Sequence, residues 1–137
     1  MLLGRASTAP VSTSQLRALF LLEQHDGINL RTLADGLRST PSSTSRLCDR
    51  LQAVGFVERS PSASSRRELE LRLSGRGRAF LADLRARRQR ELAVVTARMS
   101  PETRTMLLKG LEALHGAAAT LADEVADAAR APQARTA

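Results

Sequence analysis

The chain has 137 residues, room for one modest domain, and carries a net charge of +7 with a sequence pI near 11.4. A balance this basic calls for an anionic partner, and the absence of any long apolar run excludes a membrane-spanning helix. Tyr and Trp are absent and only Phe20, Phe56 and Phe80 are aromatic, so the core must be built from Leu, Val and Ala, as in packed helices.

Residues 1–12 read as a disordered or loosely packed lead, and their opening MLLGRASTAP has no apolar h-region of the signal-peptide kind. Ser14 to Gln24 reads as a helix with Leu16, Leu19 and Phe20 facing one way, and Gly27 follows its end. Ile28 to Leu30 suits a short strand or an extended approach. Leu30, Leu33, Ala34 and Leu37 define a second, short helix. Thr40 as N-cap and Pro41 as first helical residue start a third. Leu47, Leu51 and Val54 mark its apolar face, and Gly55 ends it. Val57 to Arg59 reads as a strand, a Ser-rich loop with Arg66 and Arg67 follows, and Glu68 to Leu73 alternates polar and apolar residues as a half-buried strand does. Ser74 caps a long helix over about 75–99, and Ser100-Pro101-Glu102 starts another over about 101–129. Residues 130–137 read as a frayed tail.

Helix, turn, helix, strand, basic loop, strand is a winged helix-turn-helix. The fold expected is therefore mainly α: a winged module with a two-stranded wing over 13–73, and a helical region over 74–129. The third helix brings Ser42, Ser43, Ser45, Arg46 and Arg50 outward near its N-terminus. Short hydroxyl side chains there approach phosphates and bases closely, and Arg46 is long enough for a bidentate contact to guanine. Arg31 and Thr32, at the preceding helix start, suit phosphate contacts. Arg66 and Arg67 at the wing suit a backbone or a narrow A·T-rich minor groove. Asp49 suits an intramolecular partner of a nearby arginine rather than a base reader. All of this points to double-stranded DNA as the partner.

The last helix has the clearest periodicity in the chain. Leu107, Leu111, Leu114, Ala118, Leu121 and Val125 recur at alternating spacings of four and three, a narrow heptad seam. Such a seam packs either against the preceding helix within one chain or against a second copy; a homodimer is the expectation adopted.

The ordered set of motifs resembles the MarR family of bacterial transcriptional regulators. The residues that carry the likeness are Gln15-Leu16, Leu33-Ala34, Pro41-Ser42-Ser43-Thr44-Ser45-Arg46-Leu47 running into Asp49-Arg50-Leu51, Gly55-Phe56-Val57-Glu58-Arg59, the Arg66-Arg67 pair, and Leu73-Ser74 with Gly77. The resemblance implies a homodimeric repressor on a pseudo-palindromic operator, with a wing arginine entering the minor groove and, as in many members, release by a small-molecule effector. Two departures stand out. Ser65 occupies the place before the arginine pair where the family usually carries an acid, and only about a dozen residues precede the helix at Ser14, where members usually have a further dimerising helix. The dimer is then expected to rest mainly on the two C-terminal helices, or the true start lies upstream. The same departures motivate an alternative, a protein-interaction module on a winged-helix scaffold that has weakened or lost DNA binding.

No constellation supports an enzyme. There is no Gly-x-Ser-x-Gly elbow, His25 and His115 are isolated, and one cysteine with no paired histidines does not suggest a metal site. No cofactor is expected. Cys48 lies on the inner side of the third helix and suits a small buried hydrophobe. A single cysteine, with no leader or membrane span, fits a cytoplasmic protein.

Overall fold

The structure, a computed structural model, describes residues 11–65 and 67–131. Residues 1–10 of the expected lead, Arg66 and residues 132–137 of the expected tail lie outside the described residues. The first helix, α1, is Thr13–Gln24. It is started by a capping box: the Ser12 hydroxyl accepts the Gln15 N–H at 3.2 Å, and the Gln15 side-chain oxygen accepts the Ser12 N–H at 2.8 Å. Val11 is packed into the core. Val11 and Ser12 thus belong to the module rather than to a loose lead.

Gly27 turns the chain with φ +76°; a Cβ there would meet the Arg72 guanidinium at 2.7 Å. Ile28–Asn29 then forms β1. Asn29 caps the next helix, α2 (Leu30–Leu37), its side chain accepting the Thr32 N–H at 2.8 Å. Thr40 caps α3 (Pro41–Ala53) by accepting the Ser43 N–H at 3.2 Å. The hairpin β2 (Val57–Pro61) and β3 (Leu69–Leu73) pairs Val57 with Leu73 and Pro61 with Leu69. β1 adds to the free side of β3, Ile28 opposite Leu71, so the sheet has three strands in the order β1-β3-β2 around the expected two-stranded wing.

Helix α3 buries Leu51 and Cys48 as expected, but adds Thr44 and leaves Val54 at the edge. Thr44, Cys48 and Leu51 are the buried residues, Leu47 is half-buried, and Val54 is 38% exposed at the helix C-cap. At 100° per residue, Leu47 and Val54 lie roughly 60° and 80° off the buried stripe. Two of the buried positions, Thr44 and Cys48, hold small side chains, which leave room for α1 and β2 to approach. Thr44 is 1% exposed and its hydroxyl has no hydrogen-bond partner among the described residues. A buried hydroxyl without a partner costs free energy that an isosteric methyl does not. Thr44→Val is expected to stabilise the chain by about 1 kcal/mol, read as a higher urea midpoint at unchanged slope; a lower midpoint would contradict it.

Ser74 joins the sheet to the next helix, α4 (Gly75–Thr96). Its hydroxyl donates to the Gly55 carbonyl at 2.5 Å and accepts the Gly77 N–H at 3.0 Å. Phe80 stacks on Phe56 at 4.7 Å between ring centroids, and Leu81 is fully buried. The core thus joins Leu19, Leu22, Leu33, Leu51, Leu71 and Leu81. The chain divides into two compact units after Arg88, within α4. The helix stops three residues before the expected 99, the chain turning at Ala97 and Arg98. The second unit holds the end of α4 and α5 (Pro101–Arg130), capped by Ser100, and no residue of α5 is buried.

Candidate nucleic-acid interface

Among the described residues, four arginines of the first unit are held by acids. Arg59 meets Asp49 at 2.7 Å, Arg72 meets Asp26 at 2.8 Å and Glu70 at 2.9 Å, and Arg78 lies 3.7 Å from Asp26. Arg85 grips both carboxylate oxygens of Glu23, one of them at 2.9 Å, and this bidentate contact holds the Glu23 carboxyl below its ordinary range. None of these belongs to the residues expected to meet DNA. Arg31, Arg46, Arg50 and Arg67 are exposed and not ion-paired among the described residues, and the same holds for Arg17, Arg38, Arg76, Arg87 and Arg88.

Arg46 and Arg50 stand one turn apart on α3, beside the exposed Ser42 and Ser43. Ser45 is only half-exposed, and its carbonyl accepts from Arg59 at 3.4 Å. Arg59 therefore ties β2 to α3 through both Asp49 and Ser45, and Asp49 is an intramolecular partner. Arg31 and Thr32 are exposed at the start of α2, with the Thr32 N–H committed to Asn29.

The wing turns through Ser62 to Glu68. The Ser62 N–H donates to the Glu68 carbonyl at 2.8 Å, and the Ser62 and Ser64 hydroxyls meet at 2.9 Å. The Ser65 hydroxyl accepts from the Arg67 backbone N–H at 3.4 Å. Ser65 thus braces the turn by a neutral backbone contact, where an acid would add a charge. The Arg67 side chain is exposed.

Cys48 is fully buried beneath this surface. Burial pushes its thiol up, partly offset by the nearby Arg59 guanidinium, so the reactive thiolate is disfavoured. Among the described residues no three His, Cys, Asp or Glu side chains cluster as metal ligands do.

The structure adds partners from α1 that sequence reading missed. A cleft of about 290 Å³ runs beside α3, lined by Ser12, Ser14, Gln15, Ser43, Arg46, Leu47 and Arg50. The hydroxyl-rich start of α1 therefore extends the polar surface of α3. Its signal in the sequence, Ser12 and Ser14 around a helix start, reads as capping alone. In the second unit, Leu107, Leu111, Leu114, Ala118, Leu121 and Val125 are all exposed, as are Met106 and Leu108.

Comparison with known proteins places these features in context. A model of the MarR family matches residues 11–69. The HTH-type transcriptional regulator YfiV of Bacillus subtilis is 29% identical over 104 residues, a match spanning 76% of this chain and 65% of that protein. The HTH-type transcriptional regulator MT0903.1 of Mycobacterium tuberculosis is 32% identical over 103 residues, covering 75% of this chain and 72% of that protein. The crystal structure of RV1404 from Mycobacterium tuberculosis superposes with a TM-score of 0.72 at 37% identity, covering 79% of this chain and 74% of that one.

Proposed function

This chain belongs to the MarR family, and we propose that it is a sequence-specific DNA-binding regulator of transcription that acts as a homodimeric repressor. The observation that carries the reading is the exposed face of α3, where Arg46 and Arg50 stand beside Ser42 and Ser43 with no acid partner among the described residues, while Arg59 on the adjacent strand is neutralised by Asp49. Holding unpaired guanidinium groups together costs repulsion that a polyanion relieves, and a helix of this width enters the major groove. Arg46 reads a base, Ser42, Ser43, Ser45 and Arg50 meet base edges and phosphates, Arg31 and Thr32 meet phosphates, and Arg66 and Arg67 follow the backbone or the adjacent minor groove. Arg59 holds the wing strand and the reading helix at a fixed spacing through Asp49.

Two copies joined through the α5 seam present two such faces to an inverted repeat, half-sites about 34–36 Å apart. A small-molecule effector, where one acts, does so by changing that separation. The setting is the cytoplasm; no helix among the described residues is long and apolar enough to cross a membrane.

Two substitutions separate reading from docking. Arg46→Ala is expected to weaken binding to the preferred duplex by about 1–3 kcal/mol per half-site and to relax preference at one base pair. Arg67→Ala is expected to weaken binding to every duplex alike and to flatten the dependence of log K on log salt by about 1 per chain. Fluorescence anisotropy across a salt series reads both. Wild-type binding that ignores salt, or two variants that bind as the wild type does, would sink the assignment.

A further inference from the structure

Arg38 closes α2 in the left-handed region, φ 52° and ψ 44°, and among the described residues it is the one non-glycine with positive φ. Helices that end this way favour glycine, then asparagine, because a Cβ crowds the following carbonyl. The bonds that close the turn are all backbone: Arg38 N–H to the Asp35 carbonyl at 3.1 Å and Ser39 N–H to the Ala34 carbonyl at 3.0 Å. A glycine makes the same bonds without the strain. The Arg38 side chain is exposed, with no ion pair or hydrogen bond of its own among the described residues, so nothing within the fold offsets its cost. Strained backbone of this kind clusters at functional sites.

Arg38 borders a cleft of about 300 Å³ between α1 and the α2–α3 turn. Arg17, Ser14, Ser39 and Ser43 line it with Arg38, over two leucines, and no carboxylate lines it. Arg17 is likewise exposed and without an acid partner among the described residues. Two guanidinium groups, which only donate, and three hydroxyls, which can donate, suit a tetrahedral oxyanion, and arginine matches phosphate oxygens in pairs. Ser43 lines this cleft and also the cleft against Arg46 and Arg50, so the two are continuous along α3.

We propose that this cleft seats one phosphodiester of the bound duplex between Arg17 and Arg38, and that Arg38 keeps its strained backbone for that contact. The proposal rests on the DNA-binding reading above and adds the anchor that sets the depth of α3 in the groove. It has an unusual signature, a residue whose replacement by glycine makes the protein more stable and a poorer binder.

The test uses the full chain with Arg38→Gly, Arg38→Ala, Arg17→Ala and, as a control, Arg46→Ala. Duplex binding is followed across a salt series, and each protein is melted without DNA. Both Arg38 variants and Arg17→Ala are expected to bind any duplex about tenfold more weakly and to lose about 0.9 from the salt slope per chain. Arg38→Gly alone is expected to melt higher, by about 2–5 °C, while Arg38→Ala keeps the strain and gains nothing. Arg38 variants that bind as the wild type does, with Arg46→Ala still impaired, would overturn the anchor and leave the DNA reading standing. A wild type that binds no duplex would take both down. Millimolar inorganic phosphate raising the melting temperature of the wild type but not of Arg38→Ala, with duplex affinity equal in the two, would assign the cleft to a free anion and overturn the proposal.

Discussion

A chain carrying Leu114→Asp is expected to fold, to sediment as a monomer, and to lose its operator. Leu114 lies in the middle of the four-and-three seam on α5 and is 65% exposed in the single chain. No core contact is therefore lost in the monomer, and the helical circular dichroism should persist. The seam is costly to leave in water: each large apolar side chain buried by a partner contributes about 1.5–3 kcal/mol. Placing a carboxylate in the middle of such a seam, unpaired, costs several kcal/mol more. A monomer keeps one half-site, so specific affinity should fall about 10³-fold or further, toward the non-specific level. Sedimentation and circular dichroism together read the result. A folded dimer that still binds DNA would remove α5 from the interface, and an unfolded chain would mean that the seam serves the monomer's own stability.

The second large effect is on the fold itself. Gly77→Ala is expected to destabilise the protein by about 3 kcal/mol, a large share of the roughly 5–15 kcal/mol that holds a domain together. A Cβ at Gly77 would lie 2.3 Å from the Phe56 carbonyl oxygen and 3.1 Å from a Leu73 methyl. The obstacle is backbone, which cannot swing aside. The Ser74 hydroxyl, bonded to both the Gly55 carbonyl and the Gly77 N–H, pins α4 against the turn between α3 and β2. Gly75→Ala is the matched control, since nothing lies within 4 Å of a Cβ there. Thermal melts of the pair should differ by about 10 °C; equal melting temperatures would mean that the close approach is wrong.

These two glycines illustrate what local pattern conveys and what it does not. Both sit where a helix begins, and nothing in their neighbours separates them; only the approach of Phe56, distant in sequence, makes one irreplaceable. The helix-turn-helix was legible because its signals are local. Thr40 and Pro41 start α3, the alternation at Glu68 to Leu73 marks β3, and the heptad spacing marks α5. β1 was ambiguous because its two residues become a strand only by pairing with Leu71 and Glu70. On α3 the burial of Leu51 and Cys48 was legible, but Thr44 was missed in favour of Val54, because a small, weakly apolar side chain carries less pattern than a valine.

The candidate site follows the same division. Arg46 and Arg50 could be picked from their place on α3. The roles of Arg17 and Arg38 could not, because the cleft they share is assembled from α1 and a turn, and the left-handed conformation of Arg38 has no signature in an arginine. Composition alone made all the arginines look alike. Asp49, Asp26 and Glu23, which neutralise Arg59, Arg72 and Arg85, come from other parts of the chain, so the distinction between structural and available guanidinium groups exists only in the folded chain.

The central claim is that two copies of this chain read a defined duplex sequence. Selection of bound duplexes from a random-sequence pool, using the full-length wild type at about 150 mM salt, tests it most directly. The account predicts enrichment of an inverted repeat whose half-sites are about 10 base pairs apart, centre to centre, occupied by two chains per duplex. A bound pool with the same sequence composition as the input, or an enriched motif without two-fold symmetry occupied by a single chain, would contradict it.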